Sequence, residues 1–347
     1  MRVLIVKTSA LGDIIHALPV LDYLHQVVPG IEVDWVVEKP FRELLAGNPL
    51  VSQLHTVCTK VWRRFPFAVE TRRDIAALKE TLRERRYDIV FDIQGNLKSG
   101  IFTRLSQGVR RYGFDRDELQ EVYNLLFTTH QVPVRRQDRH VTDKCLRVVS
   151  VPFGKDFIGM ELVSTIATAP EDDAAAEALM QTMGDGLVFL FHYGTTWQTK
   201  FWSEQGWAEL GKSVLDRYHD STILFSWGNE QERQVVTGIA RAIGPGARVM
   251  ERYSLKGLVA VLKKVDLVVG GDTGPVHLAA AVGTPTVSFY RASDGSRSGP
   301  RGKHHAVIQS PLSCTRCFKT KCERDVECRG SITLEMIMDG VMSVLRL

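Results

Sequence analysis

The sequence predicts an α/β protein built from two Rossmann-like halves. Strand-like apolar runs alternate with stretches of helical periodicity, which is the pattern of parallel strands joined by crossover helices. This alternation fades over residues 155–186 and then begins again. The chain has 347 residues, 44% of them hydrophobic and 24% charged. Such a composition suits two globular domains and excludes a disordered or fibrous protein.

The first half contains three strand-like runs and two helical stretches. The strands are predicted in "RVLIVK" (2–7), "VDWVV" (33–37) and "YDIVFDIQG" (87–95). One helix is predicted from Asp13 to about Val28. The other precedes the third strand, where Ile75, Leu78 and Leu82 recur with helical spacing opposite a strongly basic face.

The second half repeats the alternation with more elements. Strands are predicted in "LVFLFHYG" (187–194), "STILFSWG" (221–228), "DLVVGGD" (266–272) and "TPTVSFY" (284–290). Helices are predicted from about Ser203, about Asn229 and Gly274, and over "SLKGLVAVLKKV" (254–265) and "TLEMIMDGVMSVL" (333–345). We therefore expect an N-terminal domain over 1–165, a C-terminal domain over 186–330 and a final helix in 331–347.

Charge and hydropathy indicate the compartment and the kind of partner. No apolar run approaches the ~20 residues that span a bilayer, and Arg2, Lys7 and Asp13 interrupt any signal-peptide core. We therefore expect a cytoplasmic protein. Residues 1–160 hold 24 Lys and Arg against 19 Asp and Glu, whereas the remainder holds 20 against 21. This bias fits an anionic substrate or a membrane surface, although ordinary solvated side chains would also produce it.

The turn after the first predicted strand does not suit a phosphate. "KTSALGDIIHALP" (7–19) has one glycine, Gly12, followed by Asp13, where a dinucleotide-binding domain would have a glycine-rich turn. A carboxylate at this point repels a phosphate. This turn therefore does not match the phosphate-binding turn of a dinucleotide-binding domain.

The second half has a turn suited to a diphosphate. In "VVGGDTGPVHLAAAVGTPTVSFY" (268–290), Asp272, Thr273 and Gly274 lie at a predicted helix N-terminus, where unpaired amides and the helix dipole favour anions. Asp272 is expected to orient a sugar hydroxyl or simply to cap the helix. His277, one turn later, is expected to donate to a phosphate or simply to fill the domain interface.

Six segments in register resemble the lipopolysaccharide heptosyltransferases of glycosyltransferase family 9. They are "MRVLIVKTSALGDIIHALPVL", "DWVVE", "DIQGNLKS", "GTTWQTKFW", "WGNEQER" and "GDTGPVHLAAA", and together they cover nearly the whole chain. The resemblance implies a GT-B fold, with two Rossmann-like domains facing each other across a cleft. It implies that the C-terminal domain holds the donor, that the N-terminal domain holds the acceptor, and that the last helix packs back toward the first domain.

The resemblance implies an inverting transfer of L-glycero-D-manno-heptose from ADP-heptose to a Kdo hydroxyl of Kdo-lipid A. Asp13 is the expected general base, with a helix cap as the alternative interpretation. Lys200 is expected to stabilise the leaving diphosphate. Thr195 and Thr196 are expected to donate hydrogen bonds to the same oxygens. His16 is the next candidate base if Asp13 proves to be only a cap.

Two further donor contacts follow from the resemblance. Glu230 is expected to bind the ribose hydroxyls, although acids in the first turn of a helix are common. Tyr253 stands where the family has an apolar residue beside the adenine, so a stacking ring is expected there. No metal is expected at the donor, because no Asp-x-Asp pair occurs among the matched motifs.

The acceptor contacts are expected in the basic first half. "WRRFPFAVETRR" (62–73) places four arginines among aromatic residues, and Lys98 is a further candidate. Arginine forks suit carboxylates and phosphates of the acceptor. The arginines are Arg63, Arg64, Arg72 and Arg73. The alternative is a solvated basic face with its aromatic residues in the core. The expected partners are ADP-heptose, Kdo-lipid A and the inner leaflet of the membrane on its cytoplasmic face, with no nucleic acid.

Four cysteines form a cluster outside the familiar pattern. Cys314, Cys317, Cys322 and Cys328 have the spacing C-x2-C-x4-C-x5-C. A cytoplasmic location argues against disulfides, and the spacing is not that of a zinc ribbon. A structural zinc or iron–sulfur site and a set of reduced thiols remain equal alternatives. Neither role belongs to catalysis, for which no cofactor is expected.

Three other functions fit the same sequence. A heptosyltransferase that adds the second heptose differs only in its acceptor. A nucleotide-sugar epimerase shares the two-domain architecture. A non-catalytic sugar-nucleotide-binding module would keep the donor site without the transfer.

Overall fold

The computed structural model describes residues 1–346 and divides into two units, Met1–Ala167 and Thr168–Leu347. The break after Ala167 falls within the stretch where the alternation of the sequence fades. Part of that stretch is the helix Pro170–Gln181, which belongs to the second unit.

The first unit is a six-stranded parallel sheet with helices between its strands. The strands are β1 (Arg2–Val6), β2 (Glu32–Glu38), β3 (Gln53–Val57), β4 (Ile89–Asp92), β5 (Arg110–Phe114) and β6 (His130–Val132). The helices are α1 (Leu11–Ala17), α2 (Pro19–Val27), α3 (Arg42–Leu45), α4 (Thr59–Arg64), α5 (Val69–Glu84), α6 (Leu97–Leu105) and α7 (Val141–Ser150). The strand order is β3-β2-β1-β4-β5-β6, the Rossmann order.

The second unit repeats this arrangement. Its strands are β7 (Val188–His192), β8 (Thr222–Ser226), β9 (Ala247–Val249), β10 (Leu267–Gly271), β11 (Thr286–Tyr290) and β12 (His305–Gln309). Its helices are α8 (Pro170–Gln181), α9 (Glu204–Arg217), α10 (Glu230–Ile243), α11 (Leu255–Leu262), α12 (Gly274–Ala281), α13 (Gly295–Ser298), α14 (Asp325–Gly330) and α15 (Leu334–Leu345). The order β12-β11-β10-β7-β8-β9 is again the Rossmann order, and every pair is parallel.

The single helix predicted from Asp13 to Val28 is wrong, because two helices occupy this stretch. α1 ends at Ala17 and α2 begins at Pro19. Proline has no N–H to donate to the preceding turn and is well tolerated at the first position of a helix. The break leaves α1 as a short helix directly after β1, with Asp13 in its first turn.

The core of the second unit is rich in aromatic side chains. Phe191, Trp207 and Phe225 are fully buried, and the Phe191 ring lies 5.4 Å from the Trp207 ring and 5.6 Å from the Phe225 ring. α15 joins this core through Ile337 and Val341 and contacts α9, β11 and β12. The placement of this helix toward the first domain stays a prediction.

Candidate functional site

The centre of the second sheet has the topology of a ligand-binding edge. β7 and β10 are neighbours, and the chain continues to opposite sides of the sheet beyond them. Ligands of open α/β sheets bind outside the carboxyl ends of the strands at such a switch point. The segment after β7 carries Thr195, Thr196 and Lys200, and the segment after β10 carries Asp272, Thr273 and His277.

These two segments meet through a cluster of three side chains. The Lys200 Nζ atom lies 2.6 Å from Asp272 Oδ2 and 3.4 Å from the Asp272 carbonyl oxygen. The Asp272 Oδ1 atom lies 2.9 Å from His277 Nε2. The Lys200 ammonium also lies 4.5 Å from the centre of the Trp197 ring, a cation–π contact. The structure therefore brings together three of the residues that the sequence singled out.

Asp272 is ionised in this cluster. Burial opposes its charge, but the hydrogen bond from His277 and the positive charge of Lys200 outweigh burial and hold the pKa of the carboxyl well below its usual range. An ionised carboxylate accepts hydrogen bonds only, so His277 Nε2 is the donor. The carboxylate thus fixes the ammonium and the imidazole on its two oxygens.

The N-terminus of α12 lies beside this cluster. Thr273 is the N-cap, and the helix begins at Gly274. Gly271 allows the two segments to approach closely, since a Cβ atom at this position would lie 3.3 Å from the Lys200 carbonyl oxygen. Thr195 is partly exposed and Thr196 is exposed. The N-terminal amides of α12 and the Lys200 ammonium are the groups that suit a diphosphate.

The acid beside this segment is Glu232, which the sequence analysis did not single out. Glu232 accepts hydrogen bonds from the Gly228 amide at 2.7 Å and from Asn229 Nδ2 at 2.8 Å. A Cβ atom at Gly194 would lie 2.2 Å from Glu232 Oε2, so this loop passes close to the carboxylate and a larger residue there would displace the Glu232 side chain. Glu230 instead points toward Arg233, and its side chain is 63% exposed.

Tyr253 and Trp227 lie after neighbouring strands. Tyr253 is half-buried and precedes Ser254, the N-cap of α11. The Trp227 indole donates to the Met250 carbonyl at 2.8 Å. The Arg252 guanidinium lies 5.9 Å from the centre of the Trp227 ring. Aromatic surface is therefore available at this edge for a flat ring.

The equivalent switch point of the first sheet presents Asp13. Its Oδ2 atom accepts the Ala10 amide at 3.0 Å, which fixes the carboxylate in the first turn of α1. The segment before it is held by the side chain of Gln94, after β4, whose Oε1 atom accepts the amides of Thr8 and Ser9 at 3.1 and 3.2 Å. Gln94 lies in the matched segment "DIQGNLKS", but the sequence analysis assigned it no role.

Lys7 and two histidines lie in the same region. Lys7 is buried and its ammonium donates to the Ile93 carbonyl at 3.0 Å. The rings of His16 and His140 meet edge to face with centroids 5.2 Å apart. His16, the reserve candidate, is thus engaged with another side chain.

The basic stretch after β3 is largely exposed. Arg63 and Arg64 end α4, and Arg72 and Arg73 follow in the first turns of α5. Phe67 is 80% exposed between them. The alternative interpretation, in which the aromatic residues of this stretch lie in the core, is therefore wrong for Phe67. This ring lies on the surface with the arginines.

Lys98 is tied to this stretch by a buried acid. Its ammonium lies 3.1 Å from Glu38 Oε1, and the Thr59 amide donates to Glu38 Oε2 at 3.2 Å. Glu38 therefore joins the beginning of α4 to the first turn of α6.

The part of the chain that the structure describes gives the four clustered cysteines no metal-binding arrangement. Cys314 and Cys317 are exposed, Cys322 and Cys328 are half-buried, and all four are free thiols. Across residues 1–346, no three His, Cys, Asp or Glu side chains are arranged to hold a metal ion. The zinc or iron–sulfur alternative therefore receives no support.

Within residues 1–346, no helix is both long and apolar enough to cross a bilayer.

The two Rossmann-like units have the architecture of the GT-B class, which glycosyltransferases share with nucleotide-sugar epimerases. The chain matches the glycosyltransferase family 9 (heptosyltransferase) over residues 75–326. It belongs to that family.

Relatives and solved structures agree with this membership. The chain is 34% identical to lipopolysaccharide heptosyltransferase 1 of Pseudomonas aeruginosa over 93% of its own length and 87% of that protein. It is similar to the structure of E. coli heptosyltransferase WaaC with ADP, with a TM-score of 0.81, 28% identity and coverage of 99% of this chain and 100% of that one. The WaaC structure with ADP-2-deoxy-2-fluoro heptose gives a TM-score of 0.78 at the same identity, over 99% of each chain. The predicted GT-B fold is confirmed.

Proposed function

We propose that the protein transfers L-glycero-D-manno-heptose from ADP-heptose to the Kdo of Kdo-lipid A in the synthesis of the lipopolysaccharide inner core. The observation that carries the proposal is the Lys200–Asp272–His277 cluster beside the N-terminus of α12. Two solved relatives that contain ADP or an ADP-heptose analogue support the choice of donor.

The second unit binds the donor. The α12 amides with Thr273 and Gly274 bind the diphosphate, and Lys200 neutralises the charge that develops on it as the glycosidic bond breaks. Thr195 and Thr196 donate to the same oxygens. Tyr253 packs against the adenine. Glu232, whose carboxylate lies against Gly194, replaces Glu230 as the acid for the ribose hydroxyls.

The first unit supplies the base. Asp13 accepts the proton of the acceptor hydroxyl as that oxygen attacks the anomeric carbon, and the diphosphate departs from the opposite face with inversion. The hydroxyl becomes acidic only as the new bond forms, and a carboxylate can accept its proton at that point. The hydrogen bond from the Ala10 amide orients Asp13 for this step.

The acceptor and the membrane engage the basic stretch of the first unit. Arg63, Arg64, Arg72 and Arg73, with Lys98, bind carboxylates and phosphates of the acceptor. The protein associates peripherally with the cytoplasmic face of the inner membrane. Arginines beside the exposed Phe67 suit an anionic headgroup layer.

An assay with two acceptors tests the reaction. Purified protein is supplied with ADP-heptose and either Kdo-lipid A or the same acceptor that already carries one heptose. The expected result is ADP release and heptosyl transfer on Kdo-lipid A. Turnover only on the heptosylated acceptor would identify the second-heptose enzyme instead. Isomerisation of the donor without acceptor would identify an epimerase.

A further inference from the structure

The residues on both sides of Lys200 are held by a segment from far along the chain. We define the strap as residues 310–332, which join β12 to α15 and include α14 and the four clustered cysteines. Thr199 Oγ1 donates to the Lys319 carbonyl of the strap at 2.5 Å. Trp202 Nε1 donates to the Ile332 carbonyl at 2.9 Å. The donor-site segment is therefore hydrogen-bonded to the strap on each side of Lys200.

A buried arginine forms the third connection. Arg291, directly after β11, is 1% exposed and donates one side of its guanidinium to the Phe201 carbonyl. The other side donates to the Asp325 carbonyl at 2.9 Å and to Asp325 Oδ1 at 2.6 Å. Because the guanidinium is planar and rigid, it fixes the distance between Phe201 and the strap.

The strap is aligned by its backbone as well. The Phe318 amide donates to the Ala292 carbonyl at 2.8 Å, and the Arg316 amide donates to the Arg291 carbonyl at 3.3 Å. These bonds place the strap alongside the chain that leaves β11, and this places the Lys319 carbonyl at Thr199. Lys200 itself makes no contact with the strap among the hydrogen bonds of residues 1–346.

We infer that contacts with the strap support the donor site, and that Thr199 and Arg291 are positioning residues that fix the backbone from which Lys200 reaches the diphosphate. The inference rests on the proposed role of Lys200. A lysine side chain is long and flexible, so its backbone anchor determines where the ammonium can stand. A displacement of about 1 Å at a reacting group can cost about 10²-fold in rate.

Two conservative variants test the inference by calorimetry with ADP and by steady-state rates, at a temperature well below the melting temperature of each. Thr199→Val keeps the shape and removes one hydroxyl donor, and we expect ADP binding about fivefold weaker, the size of one hydrogen bond. Arg291→Lys keeps the charge but cannot bridge Phe201 and Asp325, and we expect a larger loss in affinity together with a lower kcat. Glu327→Gln is the matched control, because it breaks an exposed ion pair with Arg324 in the same strap and should leave both quantities unchanged.

Hydrogen exchange gives a readout that fold stability alone would not move. If the strap contacts strengthen ADP binding by a given factor, bound ADP must stabilise those contacts by the same factor, since coupling is reciprocal. Stabilised contacts are protected from hydrogen exchange. Saturating ADP should slow exchange at the Phe318 amide in the wild-type protein and should slow it less in Thr199→Val. Unchanged ADP affinity in both variants, or no ADP effect on this amide, overturns the inference. Loss of ADP binding in Lys200→Ala alongside such results would leave the proposed function intact.

Discussion

The Lys200 ammonium and the Asp272 carboxylate lie 2.6 Å apart, although 72 positions separate them along the chain. His277 occupies the other carboxylate oxygen at 2.9 Å. The ammonium is therefore oriented before any ligand arrives, which reduces the ordering cost of binding a diphosphate. Removal of the lysine side chain would leave the negative charge of Asp272 less compensated. Diphosphate binding should therefore be sensitive to that change.

Lys200→Ala is expected to weaken ADP binding by at least about tenfold and to lower kcat, because in the proposed mechanism Lys200 contacts the diphosphate both before and during its departure. Calorimetry with ADP and steady-state rates measure the two effects. Lys212→Ala, an exposed lysine of α9, is the control. ADP affinity equal to wild type in Lys200→Ala would contradict the assigned role.

Asp13→Asn is expected to depress kcat by about 10²–10⁴-fold with nearly unchanged ADP affinity, because the carboxylate acts only as the new bond forms. Asparagine keeps a carbonyl oxygen that can accept the Ala10 amide, so the cap of α1 is preserved. Near-normal turnover in this folded variant would reduce Asp13 to a helix cap and move attention to His16.

Glu232→Gln and Glu230→Gln form a matched pair on the first turn of α10. We expect the Glu232 variant to bind ADP several-fold more weakly, since its carboxylate lies against Gly194 in the segment that leads to Lys200. The Glu230 variant should bind like wild type, because this side chain is exposed and pairs only with Arg233 among the described contacts. Calorimetry decides, and the reverse order would restore Glu230 as the ribose ligand.

Stability should fall in acid because of His192. Burial lowers the pKa of His192 to about 4 from 6.5, so the unfolded chain binds the extra proton first as the pH falls. The free energy of unfolding therefore decreases between pH 6.5 and 4, by up to about 3 kcal/mol from this group.

Urea titrations across that range measure the slope. His192→Gln should flatten it, whereas His219→Gln, at an exposed position, should not. An unchanged slope in the His192 variant would show that this imidazole is not kept neutral by the fold.

Membrane association should depend on charge. Flotation with anionic vesicles is expected at low salt and should diminish at high salt, because screening weakens the attraction of the exposed arginines. Arg63→Ala with Arg64→Ala should reduce flotation, while Arg241→Ala on the second unit should not. Salt-independent flotation that is lost in Phe67→Ala would instead indicate hydrophobic insertion.

Element positions were most predictable where capping chemistry and apolar runs agreed. Ser203 and Asn229 cap α9 and α10 at the predicted starts, since their side chains accept the amides of Gly206 and Glu232. The strands absent from the sequence prediction were β3, β5, β6, β9 and β12. β3, "QLHTV", and β12, "HAVIQ", are edge strands with polar and half-buried residues, so no continuous apolar run marks them.

The site was predictable only where a motif carried it. Asp13, Lys200 and Asp272 lie in matched segments, and their predicted neighbourhoods agree with the structure, while their roles stay predictions. Glu230 and Glu232 are both acids in the first turn of one helix, and spacing cannot tell which side chain turns toward Gly194. Arg291 lies outside the matched segments, and nothing within the matched segment singles out Thr199, because its partner, the Lys319 carbonyl, is 120 positions away.

The position of α15 has a consequence for synthesis of the chain. The first unit can complete its sheet while translation continues, since domains fold in order as they emerge from the ribosome. The second sheet cannot cover β11 and β12 until α15 has emerged, because Ile337, Val341 and Val344 of that helix complete its core. Until then the nascent second unit exposes an apolar face, and we expect chaperones to bind the growing chain at this stage.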